Sequence, residues 1–183
     1  MTTSSSLASI RTTLAADRER LRAAVEHVPV SARETRPAPD RWSVAEVLEH
    51  LALVEGRVAG LFGMLLADAP RLDAAAGGVA TELDRAGLRD RERRITAPDA
   101  IQPTGKVSAA TAMATLEQTR QQLLALLDKI ESERVDLSKV SRQHPVLGPL
   151  DGYQWIHAVG GHEERHTMQI AEIAAALAGG TRS

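Results

Sequence analysis

The sequence predicts an all-α protein, a four-helix bundle with a long connection between its second and third helices. Three observations carry this. The 183 residues have the length of one domain, spanning 1–183, and suffice to bury a core without disulfides. The chain is rich in Ala, Leu and Arg, and no segment reads as a strand. Four segments carry apolar residues at helical spacing, which matches a single bundle.

The first helix is expected over Leu7 to Val28, with Ile10, Leu14, Leu21 and Val25 on one stripe and Pro29 as its stop. The prolines of the Pro37 to Trp42 stretch make it a loop. Ser43-Val-Ala-Glu46 is a capping box, in which the serine oxygen accepts from the N3 amide and the glutamate reaches back. The second helix starts there and runs to about Ala69, burying Val47, Leu51, Val54, Val58, Leu61 and Leu65.

Pro70 to Val107 form the long connection, with Gly77-Gly78, Pro98 and Pro103 in it. A connection of this length usually has structure or function of its own, and a short helix is expected near Val79 to Arg91. It can cross the whole bundle, so the flanking helices need not be antiparallel. The third helix begins at the N-cap Ser108 and continues to about Ser132, with Met113, Leu116, Leu123, Leu127 and Ile130 inward. Arg120 falls inside that stripe. It reads either as a snorkelling arginine at the stripe's edge or as a cation aimed into a pocket for an anionic ligand. A second capping box, Asp151-Gly-Tyr-Gln154, opens the fourth helix, which Gly179-Gly180 should stop near Ala178.

Charge and composition exclude several functions. A net charge of −2 with scattered basic residues leaves no footprint for nucleic acid, and the Arg89 to Arg94 cluster is interleaved with Asp90 and Glu92. The longest apolar stretch, Val58 to Ala69, is too short to span a bilayer, and Met1 to Thr13 has no signal-peptide pattern. The absence of cysteine excludes a Cys nucleophile and a thiolate metal site, and suits a cytoplasmic protein.

The chemistry lies in Gly161 to Gln169, GHEERHTMQ. His162, Glu163 and His166 fit H-E-x-x-H, the pattern of zinc peptidases. That reading fails, because a peptidase of this type needs a third ligand well downstream and a sheet edge to hold substrate. After His166 there is no further histidine, and Glu172 is the only acid. At about 100° per residue, His162 and His166 share a face with Trp155, Val159, Ile170, Ile173 and Leu177. The two imidazoles therefore point into the core. There they either find ordinary hydrogen-bond partners or share a metal ion. His50 is the candidate third ligand, since it borders the apolar face of the second helix about 20° from Leu61.

The other histidines fit less well. His157 lies about 140° from His162 and should face solvent. His27 suits the negative end of the first helix dipole. His144 lies in a loop, on the surface or at a site mouth. Glu163 reads as a group orienting a ligand, as a base at the mouth, or as a plain surface glutamate.

Taken together, Arg41-Trp-Ser-Val-Ala-Glu-Val-Leu-Glu-His50-Leu51 and His162-Glu-Glu-Arg-His166-Thr-Met-Gln169-Ile170 resemble the two halves of the DinB-like four-helix metalloproteins (the DinB/YfiT superfamily). The stretch from His144 to Leu150, with Trp155, is similar as well. The resemblance covers about Leu7 to Leu177. It implies a divalent metal, zinc or nickel, held by His50, His162 and His166. It also implies frequent homodimers, and transfer or isomerisation reactions that use low-molecular-weight thiols. Gly160-Gly161 departs from the bulkier residues common there, and should open space beside the metal.

The expected function is a metal-dependent enzyme that activates a small thiol for S-transfer to an electrophilic small molecule, with Glu163 and Arg120 as candidate catalytic residues. The alternatives are a metal-dependent hydrolase of a small molecule and a non-catalytic, metal-stabilised stress-response or binding module.

Overall fold

The computed structural model of the protein describes residues 7–73, 81–92 and 96–180. Four long helices form the bundle: α1 (Leu7–Glu26), α2 (Val44–Leu65), α4 (Ala109–Ser132) and α5 (Gly152–Gly180), with a one-turn α3 (Ala86–Arg89) in the long connection. Both capping boxes form. The Ser43 side chain accepts from the Glu46 amide at 3.2 Å, and the Glu46 carboxylate accepts from the Ser43 amide at 2.8 Å. Asp151 and Gln154 exchange the equivalent bonds at 2.9 and 3.0 Å. Ser108 caps α4 by accepting from the Thr111 amide.

Several expectations need correction. α2 ends at Leu65 rather than Ala69, since Pro70 has no N–H to continue the ladder and pushes the residue before it out of the helical region; the Arg71 guanidinium donates to the Leu66 and Ala69 carbonyls beyond the helix end. The helix expected over Val79 to Arg91 is only α3 within the described residues; residue 80 and those before it to 74 lie outside them. A two-stranded antiparallel hairpin, β1 (Ser141–His144) and β2 (Gly148–Asp151), stands where no strand was expected. Of its eight residues only Leu150 is buried, so it leaves no period-two signal; Gly148, at φ +81°, takes the left-handed conformation at its turn.

Two apolar clusters set the helix directions. At one end Val25 of α1, Val44 and Val47 of α2, Ala112 and Leu116 of α4, and Ile173 of α5 pack together. At the other, Ile10, Phe62, Leu127 and Ile156 meet. α2 and α4 therefore run parallel, antiparallel to α1 and α5. The long connection is the crossover that makes the parallel α2–α4 pair possible.

Between the two clusters lies a polar layer. Arg18 of α1, Glu55 of α2, Arg120 of α4 and Glu163 of α5 are each 5% exposed or less. Arg18 reaches Glu163 at 2.6 Å and Glu55 at 2.9 Å; Arg120 reaches Glu55 at 2.6 Å and also pairs with Glu163. Each arginine also donates to a carbonyl, Arg18 to Leu116 at 3.1 Å and Arg120 to Leu14 at 2.7 Å, and Arg18 further pairs with the half-buried Glu117 at 3.3 Å. Arg120 is thus neither a snorkelling edge residue nor a free cation in a pocket, and Glu163 is not on the surface.

The connection folds back over α5. Arg85 pairs with the buried Asp17 at 2.9 Å, and Leu88 packs with Leu150 and Ala158. Arg165 donates to the Leu88 carbonyl at 3.2 Å and to that of Asp90. Gly160 and Gly161 permit this approach: a Cβ on Gly161 would lie 2.8 Å from the Leu88 side chain, and one on Gly160 would meet Arg85 at 2.7 Å and overlap the Asp17 carboxylate. The glycine pair therefore seats the connection and does not open space beside the histidines. The same cover buries His157, which the helical wheel assigned to solvent.

Candidate metal centre

His50, His162 and His166 come together, and their ligating nitrogens lie within 4.8 Å of one another. α2 supplies the first and α5, running antiparallel beside it, supplies the other two from successive turns. The His162 Nε2 is 3.3 Å from that of His50 and 3.1 Å from that of His166.

The opposite ring nitrogens fix the orientation. The His50 Nδ1 is 2.7 Å from the Ile101 carbonyl, which can only accept, so that nitrogen carries the proton. The His166 Nδ1 donates to the Gln169 side-chain oxygen at 2.8 Å. Each neutral ring therefore turns an Nε2 lone pair inward. One N–H on His162 could satisfy only one of these lone pairs, whereas a cation satisfies all three. Nitrogens about 2.0–2.1 Å from a tetrahedral metal lie about 3.3 Å apart, close to the separations seen here. Ile101 and Gln169 stand where outer hydrogen-bond partners stand behind metal-bound imidazoles.

The electrostatics keep the rings neutral. Burial, then the neighbouring His50, pushes His162 down to about 3. Burial and His162 hold His166 well below the ordinary imidazole value, and burial lowers His50. Trp42 packs on the cluster, with its ring centroid 5.0 Å from that of His50 and 6.5 Å from that of His166.

One face of the cluster opens into a cavity of about 800 Å³, walled by Trp42, Val54, Leu61, Trp155 and Val159 among others. His144 also lines it, as one sequence reading allowed, and its ring lies 4.8 Å from that of Trp155. Glu163 and Arg120 do not; they belong to the interior polar layer. Sequence reasoning missed the Ile101 carbonyl, which carries no side-chain signal. Gln169 was visible, three residues beyond His166 on the same helix face.

A sequence profile of the DinB superfamily matches residues 13–170. The uncharacterized protein YuaE of Bacillus subtilis (strain 168) is 30% identical over 142 residues, which cover 75% of this chain and 80% of that protein. The crystal structure of TT2238, a four-helix bundle protein, superposes with a TM-score of 0.57 at 18% identity, covering 91% of this chain and 99% of that one. Among the described residues no helix is long and apolar enough to cross a membrane.

Proposed function

The chain belongs to the DinB superfamily, and from that premise we propose that it is a metal-dependent enzyme acting on small molecules. His50, His162 and His166 would hold one divalent ion, zinc or nickel. The observation that carries this reading is the convergence of three neutral Nε2 atoms whose partner nitrogens on His50 and His166 are already committed to Ile101 and Gln169. A divalent ion held there supplies Lewis acidity and lowers the pKa of a coordinated water or thiol.

The chain's own residues do the rest. Ile101 and Gln169 hold the Nδ1 protons and aim the rings. Trp42 packs against the rings of His50 and His166, and Val54, Leu61 and Val159 give the cavity an apolar wall beside them. Three neutral ligands leave the ion's charge uncompensated, which favours an anionic cosubstrate. A low-molecular-weight thiol fits that requirement, and the chain has no cysteine to supply one. We therefore favour thiol S-transfer to an electrophile.

The test is metal analysis of the purified protein followed by a thiol-plus-electrophile screen of the loaded form. About one ion per chain, lost in His50→Ala, and thiol-dependent product formation are expected. Full metal content in His50→Ala would overturn the site. Turnover of an ester without any thiol would replace S-transfer with hydrolysis.

A further inference from the structure

The cavity beside the three histidines has more cationic than anionic lining. Among the described residues Arg41, Arg57, Arg91 and Arg165 line it against Asp40 and Glu172. Glu172 is shared, by Arg91 at 2.8 Å and Arg41 at 3.4 Å. Arg57 donates one hydrogen bond, from Nη2 to the Ala100 carbonyl at 2.7 Å, and forms no ion pair among the described residues. At the cavity wall its exposed charge therefore faces solvent and no carboxylate among the described residues.

The placement of Arg57 gives this charge a geometry. His50, Val54, Arg57 and Leu61 all line the cavity from α2, so they mark one face of that helix. Arg57 lies seven residues beyond His50, about 10 Å along the axis, with Val54 between them. Across the cavity, Trp155 and Val159 of α5 supply further apolar surface. The lining thus runs from imidazole through apolar side chains to a guanidinium.

We propose that the cavity binds a small amphipathic carboxylate, its apolar body between Val54 and Val159 and its carboxylate on Arg57, with the far end directed at the three histidines. The proposal deepens the enzyme reading above by naming a substrate class, and it rests on that reading only in treating this cavity as the substrate's entry. Arg57 acts here as a specificity determinant; an aryl- or acyl-carboxylate of about this length meets both the guanidinium and the histidine end, and a neutral isostere meets only the apolar walls.

The test compares 4-phenylbutyrate with its neutral amide by titration calorimetry, on the full chain with zinc and after verified metal removal. Wild type should prefer the acid by about tenfold in both forms, as one charge-assisted pair supplies. Arg57→Gln should erase the preference and Arg57→Lys should keep part of it. Arg57 is exposed, so both variants should fold. Because Arg57 also holds Ala100, next to the His50 partner Ile101, metal content is measured beside each titration.

Equal binding of acid and amide, no binding of either, or a preference that survives Arg57→Gln overturns the assignment. A preference present only with zinc places the carboxylate on the ion and overturns it too. A wild-type protein that holds no metal would sink the enzyme reading alone, since the acid-versus-amide comparison is also made without metal.

Discussion

Arg120 of α4 and Glu163 of α5 are paired in the interior of the bundle, one residue along from His162. With Arg18 and Glu55 they form a ring of two cations and two anions, one from each long helix. The ring fixes how α5 is rotated against its neighbours. A slip by one residue would turn His162 by about 100°, away from His50. The charged layer therefore constrains the geometry of the histidines without touching them.

Replacing one member should be costly, because it strands a buried opposite charge. Glu163→Ala is expected to destabilise by roughly 3–5 kcal/mol, measured by chemical denaturation of the metal-free protein. Arg120→Ala should cost much less in the Glu163→Ala background than alone. Additive costs in that cycle would show that the pair is not coupled.

Gln169 should matter through His166 alone. Gln169→Leu removes the acceptor that holds the His166 Nδ1 proton and leaves all three candidate ligands in place. A metal affinity lower by about 10–100-fold is expected from competition with a chelator. An unchanged affinity would mean that the helix alone orients the ring.

Metal removal should lower the melting temperature, because an ion held by His50 of α2 together with His162 and His166 of α5 would bind the folded chain and not the unfolded one. With free metal at about 100 times Kd the ion contributes about 2.7 kcal/mol. A melt that does not move after verified removal would show that the folded apo state is already complete.

The helices and their caps were legible because their signals are local. Ser43 with Glu46, and Asp151 with Gln154, lie within one turn of each other. The three histidines were legible because a wheel places each on an inward face and the resemblance covers both halves. What depended on distant chain segments was not legible. The wheel put Arg120 on an inward face correctly, but its partners Glu55 and Glu163 are 65 and 43 residues away. His157 was assigned to solvent, because nothing in α5 shows that Arg85 and Leu88 return to cover it. The connection's length allowed either direction for α4, and it is decided by Val44 sharing one apolar cluster with Ala112 while Phe62 shares the other with Leu127.

The three imidazoles also set a pH dependence in the metal-free protein. An unfolded histidine titrates near about 6.5, whereas His162 is pushed to about 3 and His50 and His166 are lowered too. Below pH ~6.5 the unfolded chain takes up protons that the fold refuses. Their contribution to stability is complete above that value and is lost as the pH falls toward about 3. Burial raises Glu55 against the pull of Arg120, which acts in the opposite sense near the ordinary carboxylate range. His144 and His157 are lowered by burial as well, and Glu46 and Glu172 are also lowered, beside Arg36 and Arg91, so among the described residues Glu55 alone opposes. The melting temperature should drop between pH 7 and 4, and His162→Gln should flatten the curve. A melt that rises as the pH falls from 7 to 5 would contradict the assignment.

One substitution at two glycines should have opposite signs. Gly60 of α2 is exposed and an added Cβ would meet nothing within 4 Å, so Gly60→Ala gains helix propensity, up to about 1 kcal/mol. Gly160 of α5 gains the same propensity, but its Cβ would press on Asp17 and Arg85 where the connection is seated. Overpacking costs roughly 1–3 kcal/mol, enough to cancel the gain and exceed it. Asp17 is buried and already held by Arg20 and Arg85, so it has little room to retreat. Thermal denaturation should therefore show Gly60→Ala melting higher than wild type and Gly160→Ala lower. Limited proteolysis should then cut Gly160→Ala sooner around residues 81–92, since the displaced contact is the one that holds Arg85. Equal protection of that segment in the two variants would mean that Arg85 and Asp17 do not secure it.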